Sequence, residues 1–172
     1  MKVLLTESEI RAGIDRLAEQ ISREYRGRPL TILGVLTGSL IFLSDLIRRL
    51  NFPLQLGLIQ ASSYRGRTTD PGALQVALAA MPDVAGRDVL LLDDIFDTGQ
   101  TLAHLLDAVS HMRPASLRSA VLLWKDGRQR VAIEPDYHCF RIPDLFVVGF
   151  GLDYNGEYRQ LPYVAALADG DR

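Results

Sequence analysis

Apolar positions near the start of the chain recur every three or four places: Ile10, Ile14, Leu17, Ile21 and Tyr25. That spacing lays one apolar stripe along a helix over residues 6–26. Thr6, followed three residues later by Glu9, has the form of a capping box, and Gly27 ends the helix. The period then changes. LTILGVL (30–36) is a short continuous apolar run, followed by TGS and a further helical pattern through Leu50. LQLGLIQ (54–60) and ALQVALA (73–79) read as strands on either side of a polar loop, SSYRGRTTDPG. VLLL (89–92) is apolar at consecutive positions, as in a parallel strand covered on both faces. A helix over 99–112, the strand SLRSAVLLWK (116–125) and a further apolar strand, LFVVGFGL (145–152), complete the pattern. This alternation predicts an α/β fold around a central, mainly parallel sheet flanked by helices. In such sheets ligands bind beyond the carboxyl ends of the strands.

Composition narrows the function more than the fold. The 172 residues, 48% apolar and 23% charged, suit a single domain (1–172) with a core that needs no staples. There is no repeat or low-complexity tract. The apolar run in MKVLLTESEI is too short for a signal peptide, and nothing later approaches a membrane span, so no membrane partner is expected. Cys139 is the sole cysteine. It excludes an internal disulfide framework and a Cys-rich zinc site, and points to a reducing, cytoplasmic compartment. A net charge of −2 argues against a general nucleic-acid binder. Any anionic ligand must therefore be held by local charge, backbone N–H groups or a metal.

The candidate chemistry lies in LLLDDIFDTGQT (90–101). Asp97 or Thr98 would serve as a helix N-cap, but capping leaves the pair Asp93 and Asp94 unexplained. Adjacent carboxylates at a strand end repel each other unless a cation or a hydroxyl-rich ligand sits between them. The DDxxD magnesium motif of isoprenoid synthases needs a helix to bring its acids onto one face, and here a strand precedes and a glycine follows. A third reading uses every residue. The N–H groups at the start of the helix, with the hydroxyls of Thr98 and Thr101, make a cradle for a phosphate monoester. Asp93 and Asp94 would accept hydrogen bonds from a sugar diol or order a Mg²⁺ shell. Together these describe a ribose 5-phosphate site.

That assembly resembles the phosphoribosyl pyrophosphate signature of the type I phosphoribosyltransferases, and in particular their bacterial hypoxanthine (hypoxanthine-guanine) branch. The resemblance extends from Leu33 to Leu167 through LTGSLIFLSDLIR, SSYRGRTTDPG, LLWKDGRQR and IPDLFVVGFGLDYNGEYRQLPYVAAL. It implies a small hood built from the N- and C-terminal segments. It also implies roles residue by residue. Asp97 would be the acid/base group beside purine N7, and Asp93 and Asp94 the ribose-diol pair. Thr98, Gly99, Gln100 and Thr101 would hold the 5-phosphate. Thr37 and Gly38, in a loop that often carries a cis peptide, would face pyrophosphate together with Arg159. Ser63 and Tyr64 would belong to a mobile loop over the site, with Gly66 and Gly72 as hinges. Lys125 would donate to the purine 6-oxo group, Phe146 would stack on the ring and Val147 would offer backbone contacts to the base. Asp153 would sit at the purine and on magnesium, with Asp93 and Asp94 as further metal ligands.

The implied reaction transfers 5-phosphoribosyl from phosphoribosyl pyrophosphate to N9 of hypoxanthine or guanine, with Mg²⁺ as cofactor. The implied assembly is a homodimer or homotetramer. Three residues depart from the family's pattern: Asp93, which is more often Glu in relatives, Thr37, where many relatives carry Lys or Arg, and Asp126 beside the purine lysine. Other readings of the same segments are plainer. Lys125 could be a strand-end lysine in solvent, Phe146 and Val147 core residues, and Asp153-Tyr154-Asn155-Gly156 only a turn. Alternatives on the same fold are a nucleotide-sensing regulator that binds RNA, or an enzyme for another base such as xanthine, adenine or uracil. A lysine at 125, which can only donate, favours a 6-oxopurine over adenine.

Overall fold

The computed structural model describes residues 1–63 and 74–168. The elements run β1 (Lys2–Leu5), α1 (Glu7–Glu24), β2 (Leu30–Leu36), α2 (Leu40–Ile47), β3 (Leu54–Ser63), β4 (Leu74–Ala80), β5 (Asp88–Phe96), α3 (Gln100–Ser110), β6 (Ser116–Lys125), β7 (Tyr137–Ile142), β8 (Val147–Val148) and β9 (Val164–Ala166). Tyr64 and the remainder of the expected lid loop, through Gly72, lie outside the described residues, and so does Ala73.

The main sheet has the order β4-β3-β2-β5-β6-β7. β3, β2, β5, β6 and β7 are mutually parallel, and β4 adds antiparallel to β3 at one edge. The aliphatic run in β5 alternates between two packing environments, as a central strand must. Leu90 and Leu92 pack with Ile10, Ile14 and Leu17 of α1 and with Phe42 and Leu46 of α2. Val89 and Leu91 pack on the other side with Leu102, Leu105 and Val109 of α3. Both faces of the sheet are thus covered, which is why VLLL shows no polar alternation.

α1 starts as its pattern predicts. Thr6 is extended, its side chain accepts from Glu9 N–H, and Glu9 Oε2 accepts from Thr6 N–H at 2.8 Å. A second, antiparallel sheet of order β1-β9-β8 joins the two ends of the chain, with Lys2 opposite Ala166. This is the expected hood. Two expectations need correcting. LFVVGFGL is not one strand: Gly149, Phe150 and Gly151 all take positive φ, which ends β8 after Val148. β5 does not stop at Leu92 but runs on to Phe96, so Asp93 and Asp94 lie within the strand rather than past its end.

Candidate active site

The carboxyl ends of β2 and β5, the start of α3 and the hood converge on a cavity of about 320 Å³. Its walls include Thr37, Gly38, Asp93, Asp94, Asp97, Thr98, Gly99, Thr101, Asp153 and Arg159. All ten were expected from the sequence.

The acid pair occupies the floor. Asp93 is buried, and Asp94 N–H donates to Asp93 Oδ1 at 2.9 Å. Burial first, and then the neighbouring Asp94 charge, push the Asp93 carboxyl well above the usual carboxylate range. Burial also raises Asp94, against hydrogen bonding within the pair and the positive charge of Arg159, which lower it. Two acids driven upward side by side are a site short of positive charge.

The turn after β2 lies against this pair. The Leu36–Thr37 peptide is cis, and a Cβ on Gly38 would fall 1.6 Å from Asp94 Oδ2. Only glycine lets the turn pass so close. The hood closes on the same point, since a Cβ on Gly151 would fall 2.1 Å from the Gly38 carbonyl oxygen. Arg159 holds that contact in place. Its Nη1 donates to Gly151 O at 2.6 Å and its Nη2 lies 2.7 Å from Asp153 Oδ1. Asp153 Oδ2 accepts from Gly156 N–H at 2.8 Å, so 153–156 is both a tight turn and a wall of the cavity.

α3 opens at Gly99 (φ 81°) without a side-chain cap. Thr98 Oγ1 takes only a long bond, 3.4 Å, from Gln100 N–H. Capping therefore does not account for D-T-G, and the start of the helix faces the cavity, where an anion is favoured.

Asp97 stands at the rim between two cations. Lys125 Nζ, on a buried side chain at the end of β6, lies 3.2 Å from Oδ2. Arg128 Nε donates to Oδ1 at 2.9 Å. Arg128 also reaches Asp144 Oδ2 at 3.4 Å. Asp126 turns elsewhere, to Arg141 at 3.2 Å. Val147 is buried in β8, and Phe146 meets the Tyr154 ring edge-to-face at 5.6 Å. Neither residue lines the cavity itself. Ser63 closes β3 at the edge of the described residues.

The sequence pattern did not single out Arg128, Asp144, Tyr154 or Gly151 for the site. Arg128 and Asp144 look like charges in exposed turns, and only the third dimension brings them to Asp97. Gly151 carried a signal, a glycine two residues before Asp153 in an otherwise apolar run.

No group of three Asp, Glu, His or Cys side chains converges into a metal cage among the described residues. Mg²⁺ needs no such cage: it takes one or two carboxylates, which Asp93, Asp94 and Asp153 of the cavity wall could supply, and completes its shell with substrate phosphates and water.

Residues 2–155 match the family model of the phosphoribosyl transferase domain. A hypoxanthine-guanine phosphoribosyltransferase of Lactococcus lactis is 43% identical over 166 residues, covering 96% of this chain and 90% of that one. One from Streptococcus pneumoniae is 39% identical over 168 residues, covering 98% and 93%. Among solved structures, a mutant hypoxanthine phosphoribosyltransferase from Trypanosoma cruzi in a ternary complex with substrates superposes with a TM-score of 0.92. It is 38% identical, with 99% of this chain and 97% of that one covered.

Proposed function

The chain belongs to the phosphoribosyl transferase family, and from that membership we propose that it transfers 5-phosphoribosyl from phosphoribosyl pyrophosphate to N9 of hypoxanthine or guanine. The C1–O bond to pyrophosphate breaks, the C1–N9 bond forms, and the products are a purine nucleoside 5′-monophosphate and pyrophosphate. The observation that carries this reading is the single cavity in which an acid pair, an uncapped helix start and a cation-held aspartate meet.

Each part has a task in that reaction. The N–H groups and hydroxyls of 98–101 bind the 5-phosphate, and Asp93 and Asp94 accept hydrogen bonds from the ribose 2- and 3-hydroxyls. Thr37, Gly38 and Arg159 face the pyrophosphate, where charge accumulates as C1 becomes oxocarbenium-like. Arg159 lines the same cavity as Thr37, where many relatives carry a cation. Asp153 on one side, or the Asp93–Asp94 pair on the other, would hold Mg²⁺, since the three form no common cage; when bound it adds positive charge beside the leaving group. Lys125 donates to the purine 6-oxo oxygen, Phe146 and Val147 flank the base, and Asp97 accepts the proton from N7 so that N9 attacks. Ser63, at the end of β3, and Tyr64 after it would help exclude water during transfer. No covalent intermediate is required. The same reading carries a cytoplasmic location and a homodimer or homotetramer, for which the exposed Leu40 and Ile41 of α2 offer an apolar surface. Light scattering reads the assembly directly.

The test is pyrophosphate release with phosphoribosyl pyrophosphate and Mg²⁺, offering hypoxanthine, guanine, xanthine, adenine and uracil in parallel. A 6-oxopurine turns over, and Asp97→Asn loses ~10²–10⁴ in kcat, the usual contribution of a general base. Tight nucleotide binding without turnover on any base would sink the enzyme reading in favour of a regulator.

A further inference from the structure

Behind Asp97 stand two side chains that no step uses, Arg128 and Asp144. Arg128 lies in the turn after β6, three residues beyond Lys125. Its Nε donates to Asp97 Oδ1 at 2.9 Å, while Lys125 Nζ takes Oδ2 at 3.2 Å. Its Nη1 reaches Asp144 Oδ2 at 3.4 Å, two residues before Phe146. A backbone bond seats the same turn on the catalytic loop, Arg130 N–H donating to Thr98 O at 2.9 Å, and the Gln129 side chain braces the turn itself, its Nε2 donating to Lys125 O at 2.5 Å.

We propose that Arg128, itself steadied by Asp144, is a positioning residue that fixes the rotation of the Asp97 carboxylate toward the purine. The proposal rests on the assignment of Asp97 to the base. A carboxylate oxygen has two lone pairs. With Arg128 on one lone pair of Oδ1, the other stays available to the purine N–H. Lys125 alone leaves the carboxylate free to swing about its terminal torsion, which is broad for an aspartate. Lys125 also has to serve the 6-oxo oxygen, which loosens its hold on Asp97 once a base is bound. Arg128 then keeps the acceptor in place. Its side chain is 41% exposed and that of Asp97 34%, and exposed pairs contribute little to stability. Its loss therefore shows in turnover and not in folding. Misplacing a reacting group by ~1 Å costs on the order of 10² in rate.

The experiment is steady-state kinetics of the full chain with hypoxanthine, phosphoribosyl pyrophosphate and Mg²⁺. It compares the parent with Arg128→Ala, Arg128→Lys, Asp144→Ala, the Arg128→Ala/Asp144→Ala double variant and Asp97→Asn, each with a thermal midpoint. Arg128→Ala lowers kcat roughly ten- to a hundredfold, with the KM for phosphoribosyl pyrophosphate and the midpoint held near parental values. Arg128→Lys recovers most of the loss. The double variant is no slower than Arg128→Ala, because the two residues act as one unit. An unimpaired kcat in Arg128→Ala overturns the proposal, and so does a loss matched by a fall in midpoint or one confined to KM for the base. Any of these three results beside a dead Asp97→Asn removes Arg128 alone. Parental turnover in Asp97→Asn, or a parent with no turnover, removes the assignment of Asp97 and this proposal with it.

Discussion

Asp93 is where a single side chain works against the fold for the sake of the site. Its carboxyl is raised well above the ordinary range by burial and by Asp94, so folding the ionised form costs free energy. The cost is complete above the folded-state pKa, shrinks as pH falls through it, and vanishes near the unfolded value of ~3.9. Asp93→Asn removes the charge and keeps the acceptor for Asp94 N–H. The variant is expected to melt several degrees higher at pH 7, each kcal/mol being worth ~2–4 °C at this chain length. The gain should fade toward pH 4, while binding of phosphoribosyl pyrophosphate weakens. Melting curves of both proteins between pH 4 and 8 decide the matter, and a constant difference across that range would refute the burial argument. The repulsion within this pair was legible in the sequence, because adjacent acids in an aliphatic strand repel each other until a cation or a diol lies between them. Arg128 was not, since its partners sit 16 and 31 residues away and nothing in K-D-G-R marks which of them it will meet.

Elements with a full period of pattern were read close to their observed bounds. α1 has four turns of apolar stripe and a capping box, and β2 and β6 match residue for residue. β1 and β9 went unseen. Strands of four and three residues hold too little alternation to register, and they exist because they pair with each other across nearly the whole chain. β7 was missed for another reason: YHCFRI sits at the sheet edge, half-exposed, with His138 and Arg141 breaking its apolar run. The hood was expected from family resemblance, and its seat on the sheet runs through Gly151. At φ +101°, with the Gly38 carbonyl where a Cβ would stand, Gly151→Ala must push the hood off the β2–α2 turn. Strain of this kind costs ~1–3 kcal/mol. Displacing Gly38 should raise the KM for phosphoribosyl pyrophosphate roughly ten- to a hundredfold. A variant with parental KM and denaturation midpoint would show that the contact is idle.

For the whole molecule the governing quantity is the charge balance where sheet and hood meet. Asp93, Asp94, Asp97 and Asp153 face Arg159, Lys125 and Arg128, in a chain whose net charge is already −2. Phosphoribosyl pyrophosphate brings several more negative charges. The uncapped start of α3 and the turn at Gly38 offer partial positive charge to its two ends, yet among the described residues the cation that reaches the acid floor between them is Arg159, itself paired with Asp153, and it does not balance the pair. A divalent cation arriving with the pyrophosphate does. The ligand should therefore stabilise the fold only together with Mg²⁺. At a hundredfold excess over its dissociation constant the stabilisation is ~2.7 kcal/mol, or about 5–10 °C at this chain length. Differential scanning calorimetry with Mg²⁺ alone, with phosphoribosyl pyrophosphate in EDTA, and with both separates the terms. A shift seen only with both fits a cation bound between substrate and carboxylates. An equal shift in EDTA would mean that Arg159 and the backbone donors hold the pyrophosphate unaided, and that Asp153 serves Arg159 rather than a metal.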